Sequence, residues 1–519
     1  MKTIKIYDTT LRDGTQAEGI SLSLNDKLKI AKRLDQFGIH YIEGGWPGSN
    51  PKDMNFFKEV KKLKFKVAKV AAFGSTRRPH TKASDDANIN FLLKAQTDVV
   101  TVFGKSWTLH VTDVFKTSLK ENLSMIYDTV NYLKSKKKEV IFDAEHFFDG
   151  YNADSQYALD ALRTAVQAGC DLVCLCDTNG GMLPKQIKDI IHVVKREIEV
   201  PLGIHCHNDS DLAVANSITA LEEGCEHVQG TINGIGERCG NANLVSIIPI
   251  IQLKMGMKSI AQTKLEELTE TSRYVSEVCN MSINDTFPFV GKSAFAHKGG
   301  VHVNAMMKNP ETYEHIKPHT VGNKTRFLIS ELSGKTNILL KAKELDMNLD
   351  KETPETKEIL QKVQDLENEG YQFEAAEASF ELLMKKTLKQ YHPFFELCGW
   401  RTSVEKREDG TVLSEATVKV KVKGQEELSA GSGDGPVNAL DNAFRKALSK
   451  FYPIVNTIHL TDYKVRVIDS GAGTAARVRV FVQFRDEKND WTTVGVSENI
   501  IEASWHALVE AIEYKLLKG

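Results

Sequence analysis

Two histidines, His205 and His207, sit two apart in the segment Pro201-Leu-Gly-Ile-His-Cys-His-Asn-Asp209. The apolar run before them reads as a short β-strand. Residues i and i+2 of a strand point the same way, so both imidazoles face one spot while Cys206 faces away. Two same-facing imidazoles are a ready pair of ligands for a transition metal. The pair alone fits a metal-free site equally well, so the case depends on what other groups reach the same spot.

The elements that must bring them there alternate with a regular beat over the first ~250 residues. Strand-like runs fall at Ile4-Tyr7, Tyr41-Glu43, Lys66-Phe73, Val99-Phe103, Val140-Asp143, Leu172-Cys176, Leu202-His205 and His227-Thr231. Helix-period stretches lie between most of them: Leu24-Phe37, Asp53-Leu63, Lys120-Lys136, Tyr157-Ala168, Lys185-Glu197 and Asp211-Glu223. Eight such units predict a (β/α)8 TIM barrel, an α/β fold. An open doubly wound sheet would need a glycine-rich turn after the first strand, and none is present.

In such a barrel functional groups collect at the C-terminal ends of the strands. Strand 1 is followed there by Asp8, Thr9, Thr10, Arg12 and Asp13, and strand 2 ends in Glu43. Strand 5 leads to Asp143, Glu145 and His146, and strand 6 to Asp177, Thr178 and Asn179. Strand 7 brings His205, His207, Asn208 and Asp209. Strand 8 brings Asn233, Glu237, Arg238, Asn241 and Asn243. Asp177, Asn208 and Asp209 also read as caps of the next helix, Arg12 as half of a structural ion pair, and Cys206 and Cys239 as passive. The polar groups are too many for capping to absorb them all. Strands 1, 7 and 8 are neighbours once a barrel closes, so Asp13, His205, His207 and Asn241 can share one ion. Two imidazoles, a carboxylate and an amide oxygen suit Zn²⁺, Mn²⁺ or Mg²⁺ acting as a Lewis acid.

Beyond about Gly256 the beat stops. Helical stretches at Ile260-Cys279 and Arg326-Leu345 flank a section, Phe287-Gly322, that reads as loop. Two charged amphipathic helices within Glu355-Lys389 join near Glu369-Gly370-Tyr371. From Phe395 strands at Ala416-Val422, Tyr463-Val467 and Arg477-Phe484, with helices at Pro436-Phe451 and Asn499-Leu517, predict a tandem pair of similar α+β units. The expected domains are a barrel over 1–275, helical connecting subdomains over 276–395 and a C-terminal α+β domain over 396–519. The glycine-rich entry Gly433-Asp-Gly-Pro436 reads as a turn or an effector loop.

The chain has 519 residues, more than one core usually fills. A net charge of −2 argues against a general affinity for nucleic acid or anionic membrane. No apolar run spans a bilayer, and the N-terminus lacks a signal-peptide core. The eight cysteines are scattered without a CxxC pair, which fits a reducing cytoplasm.

Five motifs in order carry a resemblance that covers essentially the whole chain: DTTLRDGTQ (Asp8 to Gln16), IEGGWP (Ile42 to Pro47), CDTNGG (Cys176 to Gly181), HCHND (His205 to Asp209) and GERCGNANL (Gly236 to Leu244). They resemble the DRE-TIM metallolyase superfamily. The C-terminal tandem unit resembles the regulatory domain of 2-isopropylmalate synthases. AEHFFDGY (Ala144 to Tyr151), HKGGVHVNA (His297 to Ala305), NPETYEHI (Asn309 to Ile316) and SENIIEASWHALVEAIEYKL (Ser497 to Leu516) are most similar to the citramalate synthase group.

The resemblance implies an acyltransferase that joins acetyl-CoA and pyruvate in a Claisen condensation. The products would be (R)-citramalate and CoA, on the route to isoleucine. It implies a divalent cation on Asp13, His205, His207 and Asn241, with Arg12 and Glu145 catalytic and Glu43 and Thr178 orienting the keto acid. It implies that His302 and Tyr313 are supplied from beyond the barrel, that a homodimer forms, and that isoleucine acts as effector at the C-terminal domain. Thr15 and Asn304 stand where isopropylmalate synthases tend to carry acidic residues, and Trp46 where smaller or phenyl side chains are common. The same chemistry on another 2-oxo acid, as in 2-isopropylmalate or homocitrate synthase, is the alternative. Arg77, Arg78 and Lys105 are cations near strand ends that a 2-oxoglutarate pocket would need. A retro-Claisen lyase and a degenerate amino-acid-binding regulator are further alternatives.

Overall fold

A computed structural model describes residues 3–519 except 283, 329–334, 345–346, 348, 350–352, 469–472, 474 and 487–488. The chain divides into two compact units, Met1–Phe295 with Glu314–Thr325, and Ala296–Tyr313 with Arg326–Gly519.

The first unit is built on a closed barrel of eight parallel strands in sequence order. They are β1 Lys5–Asp8, β2 Tyr41–Gly45, β3 Lys69–Ser75, β4 Val99–Lys105, β5 Glu139–Glu145, β6 Leu172–Asp177, β7 Leu202–Cys206 and β8 His227–Gly230. β1 closes the ring on β8 with Asp8 opposite Gly230. Apolar residues on the outer face, such as Ile6, Val102, Phe142, Ile204 and Val228, pack under the helices in one continuous core. Inside, Tyr7, Ala71, Val99 and Ile141 plug the lower barrel. A bottom filled this way leaves the upper rim as the place where polar side chains collect.

The helices start and stop where local chemistry dictates. Ser23 caps Leu24–Phe37 in a reciprocal pair with Asp26, and Gly38 ends that helix in the left-handed conformation at φ 101°. Pro51 and Pro184 occupy first-turn positions of Pro51–Val60 and Pro184–Glu197. The helix Ala87–Ala95, between β3 and β4, completes a unit for which the sequence pattern showed no helix.

In the second unit each of two three-stranded antiparallel sheets is followed by a helix, as the tandem pattern predicts. Glu396–Lys406, Val412–Val422 and Gln425–Gly433 precede Pro436–Ser449. His459–Val467, Val478–Arg485 and Asp490–Ser497 precede Ile500–Lys518. Glycines let each helix lie close on its sheet. A Cβ on Gly431 would meet the Ala443 backbone nitrogen at 2.6 Å, and one on Gly495 the Ala503 carbonyl oxygen at 2.0 Å. The section expected as loop contains a nine-residue helix, Gly300–Lys308. The expected helix Arg326-Leu345 begins instead as a two-residue strand, Arg326–Phe327, and is helical over Lys335–Glu344. Residues 329–334 and 345 of that stretch lie outside the described residues.

Candidate active site

A latch at the barrel rim sets the loop after β1. Asp8 accepts from the Thr10 amide and hydroxyl, both at 2.9 Å, and the Thr10 oxygen accepts from the Ile232 amide at 3.0 Å. The loop from β1 is thereby tied to the loop from β8. Burial pushes the Asp8 carboxyl up to about 7, against the Thr10 hydrogen bonds that lower it. The latch delivers Arg12 and Asp13 over the barrel.

Arg12 donates from Nε to Glu43 Oε2 at 2.5 Å, and its Nη1 lies 3.3 Å from Asp13 Oδ2. Its Cζ stacks 3.9 Å over the Phe73 ring. Glu43 is fixed in turn by the Tyr7 hydroxyl at 2.9 Å, and that hydroxyl also meets Thr101 Oγ1 at 2.7 Å. The guanidinium is held in one orientation by a carboxylate that is itself buried.

Asp13 Oδ2 lies 3.4 Å from His205 Nε2 and 3.9 Å from His207 Nε2, with all three residues buried. The two rings are 5.2 Å apart. Burial would raise the Asp13 carboxyl, but the Arg12 guanidinium and the His205 ring outweigh it and hold it well below the ordinary carboxylate value. Burial and the neighbouring His205 charge push His207 down to about 3. Asn241 pairs with His207 in an antiparallel bridge. Asp13 Oδ1, His207 Nδ1 and both side-chain polar atoms of Asn241 are buried without a hydrogen-bond partner. Three groups with such orphaned atoms beside the His205 ring fit a cation, because burial without a partner is costly. His205 differs: its Nδ1 meets Gln229 Oε1 at 3.0 Å, and Gln229 Nε2 donates to Asp143 Oδ1 at 2.9 Å. Burial, then the charge of Glu43, pushes Asp143 up to about 7.

The cavity above them is about 190 Å³, lined among others by Arg12, Asp13, Trp46, Phe73, Phe103, Glu145, Thr178, His205 and His207. One wall is aromatic. Phe73 and Phe103 stack at 5.3 Å, and Trp46 meets their rings at 6.0 and 5.6 Å in edge contacts. The Trp46 indole is locked by donating to Asn88 Oδ1 at 2.6 Å. On the opposite side Thr178 Oγ1 accepts the His146 amide at 2.9 Å, leaving its own proton to donate. Glu145 Oε2 is paired with the Lys105 ammonium.

The structure therefore gathers Arg12, Asp13, Glu43, Glu145, Thr178, His205, His207 and Asn241 at one rim. His302 and Tyr313 belong to the second compact unit, where their rings stack at 4.3 Å. Several rim residues take the capping or latching roles that the sequence left open. Asp177 accepts from the Gly181 and Met182 amides, Asn208 from the Ala213 amide, and Asp209 holds Arg238 at 2.7 and 2.9 Å. Cys206 packs in the outer core. Sequence reasoning missed Gln229. Its only signal is a polar residue two after His227 on an otherwise apolar strand, the spacing of one inward face.

Comparison with known proteins adds the family. The HMGL-like family matches residues 3–275, the homocitrate synthase post-HMGL domain-like family residues 289–371, and the LeuA allosteric (dimerisation) domain residues 374–516. Barrel and rim thus define an HMGL-like enzyme domain. The (R)-citramalate synthase of Geobacter sulfurreducens is 56% identical over 520 residues, covering 100% of this chain and 98% of its own length. That of Aquifex aeolicus is 55% identical over 517 residues, covering 99% and 98%. That of Synechocystis sp. is 54% identical over 525 residues, covering 98% and 96%. The chain belongs to the (R)-citramalate synthase family.

Proposed function

We propose that the chain joins acetyl-CoA, pyruvate and water to give (R)-citramalate and CoA, a step toward isoleucine carried out in the cytoplasm. The convergence of Asp13, His205 and His207 beside the Arg12–Glu43 pair carries this reading. A divalent cation on Asp13, His205, His207 and Asn241, Zn²⁺, Mn²⁺ or Mg²⁺, would supply Lewis-acid polarisation of the 2-oxo group. The Thr178 hydroxyl donates its free proton to the substrate carboxylate. Glu145 removes a proton from the acetyl methyl, with Lys105 engaging one oxygen and leaving Oε1 for the substrate. The methyl carbon attacks the keto carbon, and the negative charge that develops on the keto oxygen is met by the Arg12 fork, which Glu43 keeps from turning. Water then cleaves the thioester with help from His302 and its stacked partner Tyr313. Residues 1–275 serve catalysis, 276–395 connect, and 396–519 bind isoleucine and dimerise.

The choice of pyruvate rests on the aromatic wall. Trp46, Phe73 and Phe103 form one wall of the cavity, and a longer 2-oxo acid tail placed against it would be crowded. Two of the three cations that a 2-oxoglutarate pocket would need are otherwise engaged. Arg77 binds Glu121 at 2.7 Å and Asp128 at 2.8 Å, and Lys105 binds Glu145. A panel of 2-oxo acids with acetyl-CoA, read by release of the free CoA thiol, tests this. Pyruvate should turn over fastest; faster turnover of 2-oxoisovalerate or 2-oxoglutarate would refute it.

A further inference from the structure

The buried amide of Gln229 answers a question that the donor set leaves open: why the His205 ring presents Nε2 rather than Nδ1 to Asp13. The amide has two unlike ends, a carbonyl oxygen that only accepts and an NH₂ that only donates. Its Nε2 lies 2.9 Å from Asp143 Oδ1. An ionised carboxylate oxygen there only accepts, so it takes the NH₂ end, and a flipped amide would set its own carbonyl against that oxygen. The carbonyl Oε1 then faces His205 Nδ1 at 3.0 Å, and only an Nδ1–H satisfies it. A neutral imidazole with its proton on Nδ1 has its lone pair on Nε2. That is the atom 3.4 Å from Asp13 Oδ2. Gln229 and Asp143 are 0% and 4% exposed, so water does not compete for either bond. His207 has no such support: its Nδ1 is buried and unpartnered.

We propose that Gln229, anchored by Asp143, is a positioning residue that fixes the Nδ1–H tautomer of His205 and so makes its Nε2 a pre-formed ligand for the cation. The two histidines are therefore unequal. His205 is aimed before the ion arrives, and His207 is aimed by the ion itself. Outer partners of this kind typically contribute 10–100-fold to metal affinity.

The inference rests on His205 being a ligand, and the test separates the two. Cation affinity is measured on the full chain by competition with a chromophoric chelator, using Zn²⁺ and Mn²⁺. His205→Ala should bind at least 10-fold more weakly; parent-like affinity there removes the ligand reading itself. Gln229→Leu should lose roughly 10–100-fold in affinity. Asp143→Leu should resemble Gln229→Leu. Parent-like affinity in a folded Gln229→Leu would overturn the proposal. If Gln229→Leu does not fold, the tautomer is read in the metal-free parent by histidine-selective ¹⁵N spectra, with the His205 signals assigned by their loss in His205→Gln. A protonated Nδ1 is expected, and a protonated Nε2 would overturn the proposal.

Discussion

Arg12 is held by contacts that depend on the shape of its side chain. Its Nε is committed to Glu43, its Nη1 leans on Asp13, and its plane lies on Phe73. Those contacts use a flat fork with several donors, which a lysine lacks. Arg12→Lys keeps the charge, loses the fork and leaves Glu43 with one poorly aimed partner. Turnover should fall roughly 10²-fold or more, with metal content unchanged. Near-parent turnover, measured by thiol release at saturating pyruvate, would remove Arg12 from its assigned place. The donor residues were legible in the sequence because their spacing fixed their direction: His205 and His207 share parity on a strand, and Asp13 follows the strand that must neighbour theirs. Gln229 was not legible in the same way. A glutamine's identity says nothing of which way its amide lies, and only the placement of Asp143 on another strand decides it. Lys105 was visible as a cation, but its pairing with Glu145 depends on the alignment of β4 beside β5.

At the scale of elements, burial of one acid links two helices of the second unit. Glu510, on Ile500–Lys518, accepts a hydrogen bond from Ser379 on Glu377–Thr387. Burial pushes its carboxyl up to about 7, against the lowering effects of Ser379 and Lys386. A folded value above the ordinary glutamate value means the folded state holds the proton more tightly. Its stabilising contribution is complete at low pH, below the ordinary value, and is lost as pH rises through about 7. The loss over that window is roughly 3 kcal/mol. Glu510→Gln should therefore gain in thermal midpoint relative to the parent between pH 5 and pH 8. A difference that stays flat across that range would show that the group ionises without cost. The barrel strands were legible because strands buried on both faces read as unbroken apolar runs. Three C-terminal strands were not. Gln425–Gly433 has no β-branched residue, Glu396–Lys406 is exposed along most of its length, and Asp490, Thr492 and Thr493 break the apolar pattern of Asp490–Ser497. They are strands because of neighbours in register, not because of their own composition. The helix Gly300–Lys308 was hidden by its glycine entry and short length.

At the scale of the whole molecule, the two units have separate cores. The second contains the LeuA-type domain, and the same unit holds the Gly300–Lys308 helix that carries His302. An effector bound to one part of a compact unit can bias another part of it only by differential affinity for two of its states. Isoleucine should lower turnover of the full chain, and a chain ending before residue 396 should lose that response along with its tendency to dimerise. Unchanged inhibition in a folded truncated chain would place the effector elsewhere. Among the described residues no helix is long and apolar enough to cross a membrane.

On this reading one divalent ion, held at the barrel rim by Asp13 and two imidazoles, would present a 2-oxo acid to Arg12. The most direct measurement is a crystal structure with Mn²⁺ and pyruvate, the ion located by its anomalous signal. One peak is expected within bonding distance of Asp13, His205 and His207, with the pyruvate keto oxygen on the ion and facing Arg12. Imidazoles turned apart, or pyruvate bound with no peak beside it, would contradict it.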